Sequence, residues 1–135
     1  DKILGTETVL VVDDEPQVLD VVRSCLTAHG YRVVTAVSGP EALRIFRTAP
    51  GRFDLALIDL LMPAMSGIEL WREIQAMRAG STRPVAVLFS SGYGGDELTE
   101  NPALRGLNFL RKPYRVEDLV RAVRDTLAGK PVRRY

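Results

Sequence analysis

The stretch VLVVDDEP, residues 9–16, sets four apolar residues directly before two adjacent carboxylates, those of Asp13 and Asp14. A short apolar run of this kind is typical of a strand that is buried on both faces of a parallel sheet. Two negative charges at its end need a reason, because crowded carboxylates repel each other and lose hydration. The stretch therefore predicts a parallel sheet with a functional site at the carboxyl end of this strand.

Composition favours a single soluble domain. The chain has 135 residues, of which 46% are hydrophobic, and a formal net charge of +1, which suits one core and gives no indication of a nucleic-acid partner. Its one cysteine, Cys25, excludes an internal disulfide framework. We find no signal peptide and no apolar run long enough to span a bilayer, so we expect a cytoplasmic protein with no membrane contact in this segment.

Short β-branched runs alternate with longer amphipathic stretches, which indicates an α/β fold of five strand–helix units. The predicted strands are residues 9–12, 32–36, 55–58, 85–89 and 108–110. The fourth helix, within residues 92–106, is poorly specified because Gly94 and Gly95 open it and Pro102 interrupts it. We expect one domain over residues 8–128, with tails at 1–7 and 129–135, the latter a solvated basic end.

Polar side chains follow the predicted strands, and in open α/β sheets ligands gather at the carboxyl ends of the strands. These residues are Asp13 and Asp14 after the first strand, Asp59 after the third, Ser90 and Ser91 after the fourth, and Lys112 after the fifth. They are far apart in sequence but share one edge of the predicted sheet. Their co-location is the main indication of a site.

Three clustered carboxylates predict a bound cation. Oxygen ligands without a histidine or cysteine cluster suit Mg²⁺, with Asp13 and Asp14 as ligands directly or through water. Asp59 then keeps one oxygen free to attack a phosphoryl group and form an aspartyl phosphate. The Lys112 ammonium and a hydroxyl of the fourth strand would compensate charge on the other phosphoryl oxygens.

Four motifs, in this order and at suitable spacing, resemble the receiver domains of two-component response regulators and hybrid histidine kinases. They are VLVVDDEP, LALIDLLMPAMSGIEL, LFSSGY and FLRKPY, and the resemblance covers nearly the whole chain. It implies a flavodoxin-like, doubly wound parallel sheet in the strand order 2-1-3-4-5. The lead-in GTETVLVVDDEP and the string SGYGGDEL are most similar to C-terminal receivers of hybrid sensor kinases.

The resemblance also implies residue roles. Asp59 is the phosphoacceptor, and the backbone carbonyl of Leu61 joins Asp13, Asp14 and Asp59 around Mg²⁺. Ser91 is the hydroxyl that follows the phosphoryl group, with Ser90 as its competitor, and Phe109 matches the aromatic switch position. A cis peptide bond is implied between Lys112 and Pro113.

The implied function is a phosphorelay domain that receives a phosphoryl group from a histidine kinase or a histidine phosphotransfer domain. It is a signalling domain that assists its own phosphorylation and dephosphorylation, and not an enzyme with a separate substrate. Ser91 and Phe109 would then switch the face formed by the fourth predicted helix, the fifth strand and the last helix, in a monomer or weak dimer.

Other functions remain as alternatives. A stand-alone response regulator and a phosphorylation-independent interaction module both fit the fold. An aspartyl phosphohydrolase is expected to place its nucleophile after the first strand, with a second acid two residues on, whereas Asp13 and Asp14 are adjacent. A flavin-binding module would need a Ser/Thr/Gly-rich phosphate loop where this chain has DDEPQV.

Overall fold

Strands and helices alternate along the chain in the computed structural model, which describes residues 5–49, 51–78, 84–92 and 106–134. The strands are Thr8–Val12 (β1), Arg32–Ala36 (β2), Leu55–Asp59 (β3), Ala86–Ser91 (β4), Asn108–Arg111 (β5) and Arg133–Arg134 (β6). The helices are Pro16–Ala28 (α1), Gly39–Thr48 (α2), Gly67–Met77 (α3) and Val116–Leu127 (α4). The last predicted helix is thus α4, and the fourth predicted helix lies outside the described residues. No described helix has the length and apolar character needed to cross a membrane.

All strand pairs in the sheet are parallel, and their order is β2-β1-β3-β4-β5-β6. The predicted order 2-1-3-4-5 is confirmed. Strands β1 to β5 were predicted to within two residues at each end, and β6 was not predicted. The largest difference is at β4, which runs to Ser91 and therefore includes both serines.

Apolar side chains form a core layer on each side of the sheet. One layer packs α2 and α3 onto the sheet through residues such as Phe46, Leu70 and Ile74. The other packs α1 and α4 through residues such as Leu26 and Val123. The central strands β1 and β3 are buried along their whole length, as helices on both faces require.

Helices α2 and α3 begin at serine caps. At α3 the cap is a complete capping box, because Ser66 Oγ accepts from the Glu69 N–H while Glu69 Oε1 accepts from the Ser66 N–H. At α2 the box is shifted by one residue, since Glu41 Oε1 accepts from the N–H of Val37 instead of Ser38. Both caps fix where a helix leaves the carboxyl edge of the sheet.

The loop from β3 to α3 contains a tight turn centred on Ala64, whose φ is 69°. The Met65 N–H donates to the Pro63 carbonyl at 2.7 Å across this turn, which is the bond pattern of a γ-turn. A positive φ strains a residue that carries a Cβ. The loop that follows Asp59 is therefore held in a conformation that alanine disfavours.

Replacing Ala64 with glycine is expected to stabilise the protein by about 0.5–1 kcal/mol, because relief of strain exceeds the added entropy of the unfolded chain. Ala128→Gly is the matched control, since Ala128 is also exposed but has φ −83°, and it should destabilise by a similar amount. Urea denaturation measures both. A loss of stability in both variants would contradict the strained turn.

The carboxyl-terminal residues differ from the solvated tail that the sequence predicts. Val132 is buried in the core layer of α1 and α4, and β6 pairs with the outer edge of β5. At the other end, Gly5 and Glu7 also hydrogen-bond to the domain, through the His29 carbonyl and the Arg32 N–H. Described residues on both sides of 8–128 thus pack onto the sheet.

Candidate functional site

Three aspartates meet at the carboxyl edge of the sheet. Asp13 and Asp14 follow β1, and Asp59 is the last residue of its neighbour β3. One carboxylate oxygen from each lies within 4.8 Å of the others. Asp13 and Asp59 are buried and Asp14 is exposed, so the cluster opens to solvent on one side.

This donor set fits Mg²⁺. All three groups supply oxygen, and one side of the cluster is open for the water and phosphate ligands that Mg²⁺ retains in proteins. The two buried carboxylates are also held in place locally. Asp13 accepts from the Glu15 N–H through Oδ1, and the Leu61 N–H hydrogen-bonds the Asp59 carboxylate.

Lys112 lies between the two buried carboxylates. Its Nζ is 2.6 Å from Asp13 Oδ2 and 3.4 Å from Asp59 Oδ2. The Lys112 N–H donates to the Ser91 carbonyl at 2.8 Å, and the Lys112–Pro113 peptide is cis as predicted. Burial alone would lower the pKa of this ammonium, but the bonds to Asp13 and the charge of Asp59 hold that pKa above its usual value.

The Asp59 carboxyl group has a pKa raised to about 6. Burial is the main cause, since only 5% of the residue is exposed, and the nearby charge of Asp13 adds to it. Lys112 acts in the opposite direction but does not cancel the cost of burial. At neutral pH the group is therefore mainly ionised, with its charge incompletely compensated by the protein.

Asp59→Asn is expected to raise the free energy of unfolding at pH 7 in metal-free buffer, by on the order of 2 kcal/mol. The folded protein binds the Asp59 proton more tightly than the unfolded chain does. The bound proton therefore stabilises the folded protein fully below a pH of about 4, and this stabilisation is lost as the pH rises through about 6. Urea unfolding of wild type and variant at pH 4 and pH 7 tests this, with exposed Asp20→Asn as control. A variant no more stable than wild type at pH 7 would contradict it.

Both serines of the LFSSGY motif are buried at the end of β4. The register places Ser90 opposite Asp59, and Ser91 opposite Arg111. Because side chains alternate along a strand, Ser91 lies on the sheet face that carries Phe89, and Ser90 lies on the other. Among the described residues, the atom nearest to a Cβ added at the next residue, Gly92, is Lys112 Cδ at 4.0 Å, so these residues leave space beside Ser91.

Phe109 is 3% exposed and packs against Phe89, with ring centroids 6.2 Å apart. The resemblance implies that Phe109 takes part in the switch that follows phosphorylation. In this structure the ring is already inside, on the same face of the sheet as Ser91. The helix expected to complete this face lies outside the described residues.

An apolar groove of about 700 Å³ adjoins the site, and the sequence analysis did not identify it. It runs from Lys112 and Gly92 along α1 and is lined in part by Val18, Val21 and Tyr114. Val21 is 63% exposed. Its position off the core-facing stripe of α1 is the signal in the sequence, because a β-branched apolar residue there has no core to fill.

The response regulator receiver domain family model matches residues 9–124. The chain is 37% identical over 91% of its length to the sensor kinase CckA of Brucella abortus. It is 38% identical over 87% to the transcriptional regulatory protein GlrR of Escherichia coli, and 35% over 86% to KdpE of Mycobacterium tuberculosis. It spans only 13%, 26% and 49% of these relatives' lengths.

Solved structures show the same fold. A receiver domain protein from Clostridium thermocellum superimposes with a TM-score of 0.79 and 31% identity, covering 90% of this chain and 94% of that one. The chemotaxis protein CheY4 of Vibrio cholerae gives 0.74 and 29%, covering 90% and 99%. The acidic cluster and Lys112 thus lie within a chain that belongs to the response regulator receiver domain family.

Proposed function

We propose that this domain accepts a phosphoryl group on Asp59 in a Mg²⁺-dependent step of a two-component phosphorelay. The observation that carries the proposal is the position of the Asp59 carboxylate. It is buried at the carboxyl edge of the sheet, 3.4 Å from the Lys112 ammonium and beside the carboxylates of Asp13 and Asp14. The receiver family supplies the class of reaction.

In the proposed step an Asp59 carboxylate oxygen attacks phosphorus, and the bond from phosphorus to the imidazole nitrogen of a phosphohistidine breaks. The electron pair of that bond returns to the nitrogen, and the phosphoryl group becomes an acyl phosphate on Asp59. Lys112 can follow the developing charge because its ammonium already lies between Asp13 and Asp59. Positioning and charge compensation of this kind supply most of the catalysis in phosphoryl transfer.

Asp13, Asp14, Asp59 and the Leu61 carbonyl would hold Mg²⁺. When bound, the ion compensates the charge of the carboxylates and of one phosphoryl oxygen. Asp13 has a second role, because it also binds Lys112 Nζ at 2.6 Å. This contact keeps the ammonium in the site before the phosphodonor arrives.

Magnesium dependence tests the proposed function. We expect wild-type protein to take up a phosphoryl group from acetyl phosphate with Mg²⁺ but not with a chelator. Asp14→Asn should raise the Mg²⁺ concentration for half-maximal rate about tenfold or more, whereas the adjacent exposed acid gives a control, Glu15→Gln, that should leave it unchanged. Equal rates with Mg²⁺ and with chelator would overturn the proposal.

Ser91 is the hydroxyl that we assign to the phosphoryl group, because it lies on the face of Phe109 and beside Gly92, where the described residues leave space. Ser90 is buried to the same extent, 3% for each, so the pair forms a matched test. Ser91→Ala should slow phosphoryl uptake, and Ser90→Ala should have the smaller effect. The reverse order would transfer the role to Ser90.

Phosphorylation then shifts the domain towards a second conformation. Since the Phe109 ring is already buried against Phe89, the change at this position is a repacking within the interior. Phenylalanine has no hydroxyl, so the signal passes by packing alone. The face that changes shape includes β5 and α4.

The kind of protein to which the domain belongs is also part of the proposal. Similarity to the sensor kinase CckA supports a segment of a sensor kinase, and we favour a hybrid kinase that carries this domain in the cytoplasm. A stand-alone response regulator is the alternative. Similarity to the transcriptional regulatory proteins GlrR and KdpE supports a receiver domain that is joined to a different output domain. In each case the phosphodonor is a histidine kinase or a histidine phosphotransfer domain.

We expect the phosphodonor to dock in the groove beside Lys112, with the apolar face of one of its own helices packed over α1. Its continuity with the site is the reason, since Lys112 and Gly92 line both. A donor that reaches Asp59 therefore covers the groove and buries Val21.

Val21→Asp is expected to slow transfer from a phosphorylated histidine phosphotransfer domain by tenfold or more, because a charge would be desolvated in the contact. The rate with acetyl phosphate should not change. Val37→Asp is the control, since Val37 is also exposed, at 44%, but does not line the groove. Equal slowing by both variants would contradict this docking surface.

A further inference from the structure

The carboxyl-terminal residues are anchored to β5 through the side chain of Asn108. Its Nδ2 donates to the Lys130 carbonyl at 3.0 Å and to Thr126 Oγ1 at 2.9 Å, and its Oδ1 accepts from the Val132 N–H at 3.0 Å. The amide group thus binds the backbone of the tail on both its donor and its acceptor side. Sequence alone gave no indication of this contact.

The path of the chain after α4 is fixed by a helix-ending motif. Gly129 has φ 77°, its N–H donates to the Thr126 carbonyl, and the Lys130 N–H donates to the Asp125 carbonyl at 2.8 Å. This is the bond pattern of a Schellman motif. It turns the chain back along the edge of the sheet, where Val132 enters the core with 5% of its surface exposed.

The tail also bonds directly to β5, the strand that contains Phe109 and precedes Lys112. The Phe109 N–H donates to the Val132 carbonyl at 3.0 Å, and β6 pairs with Phe109 and Leu110. Lys112 follows β5 immediately. The short strand that presents Lys112 is thus held by β4 on its inner edge and by the tail on its outer edge.

We propose that Asn108 is a positioning residue: by docking residues 130–134 against β5 it orders the strand that holds Lys112 against Asp59. Fixing the backbone of a strand costs conformational entropy. A docked tail already orders part of β5, so less entropy is lost when a ligand binds. A group that binds Asp59 and Lys112 therefore binds the docked state more tightly, and by linkage it strengthens docking in return. Anything that draws the tail from β5 weakens phosphoryl acceptance.

The inference rests on the proposed function, and one experiment separates the two. The probe is beryllium fluoride with Mg²⁺, a phosphoryl analogue, bound to the full chain. The first readout is its dissociation constant, and the second is amide hydrogen exchange at Val132 with and without the probe. If wild type fails to bind the probe, the proposed function and the inference both fail.

Asn108→Ala and Val132→Asp should each raise the dissociation constant about fivefold or more, and the probe should slow exchange of the Val132 amide in wild type. Val132→Asp tests the tail with the sequence of β5 intact, so the inference does not depend on one variant folding. Ile74→Val, a core change on α3, is the control for lost stability and should bind as wild type does. Wild-type affinity in folded Asn108→Ala and Val132→Asp, or Val132 exchange unaffected by the probe, would overturn the inference and leave the proposed function standing.

Discussion

Gly67→Ala is expected to lower the free energy of unfolding by about 3 kcal/mol or more, which is large for the addition of one methyl group. A Cβ at this position would lie 2.4 Å from the Asp59 carbonyl oxygen and 3.0 Å from Leu60 Cα. Both neighbours are backbone atoms of the strand end that carries the phosphoacceptor. They cannot move aside as a flexible side chain can.

The close approach at Gly67 has a structural purpose. The Gly67 N–H donates to the Leu60 carbonyl at 3.0 Å, so the first turn of α3 rests directly on the end of β3. An added methyl group would push α3 away and displace Asp59. We therefore expect Gly67→Ala to impair phosphoryl uptake in whatever fraction remains folded.

Urea denaturation of Gly67→Ala beside Gly51→Ala measures this effect. Gly51 is exposed, and a Cβ added there meets none of the described residues within 4 Å, so its variant should change stability by less than about 0.5 kcal/mol. A Gly67→Ala protein as stable as Gly51→Ala would show that α3 does not rest on the strand end as described.

Lys112→Gln is expected to slow phosphoryl uptake from acetyl phosphate by about 100-fold or more, the usual cost of removing a preorganised charge-stabilising donor. The variant loses the ammonium 2.6 Å from Asp13 and 3.4 Å from Asp59. Without it the buried carboxylates are less compensated, and the pKa of Asp59 should rise further. Uptake should therefore also need a higher pH.

A pH–rate profile at saturating Mg²⁺ checks this result. Arg115→Gln is the control, because Arg115 is an exposed cation at the start of α4 and its loss should leave the rate near that of wild type. If Lys112→Gln accepted a phosphoryl group at the wild-type rate and pH, the ammonium would have no part in the reaction.

The sheet and the position of the site were predictable because they follow from patterns that act along the chain. Apolar runs predict buried strands, and the rule that ligands gather at the carboxyl ends of parallel strands brings Asp13, Asp59 and Lys112 together. The resemblance of four motifs to receiver domains supplied the strand order and the residue roles. These features are therefore predictable from local sequence patterns or from motifs shared with the family.

What the sequence did not predict depends on contacts between distant residues. The docking of residues 130–134 combines the hydrogen bonds of Asn108 with the burial of Val132 and the pairing of β6, and Asn108 lies in an ordinary strand pattern. The exposure of Val21 depends on which face of α1 meets the sheet, and the burial of Phe109 depends on its contact with Phe89. Gly67 begins α3, and the approach of the Asp59 carbonyl, which the sequence does not reveal, explains why it is glycine.

The most direct test of the account is the mass of the intact protein after incubation with acetyl phosphate and Mg²⁺, for wild type, Asp59→Asn and Asp20→Asn. Asp20 is exposed on α1, so its variant controls for the loss of one carboxylate. The account predicts a gain of one phosphoryl group in wild type and Asp20→Asn and none in Asp59→Asn. Equal gain in Asp59→Asn, or no gain in wild type, would contradict Asp59 as the phosphoacceptor.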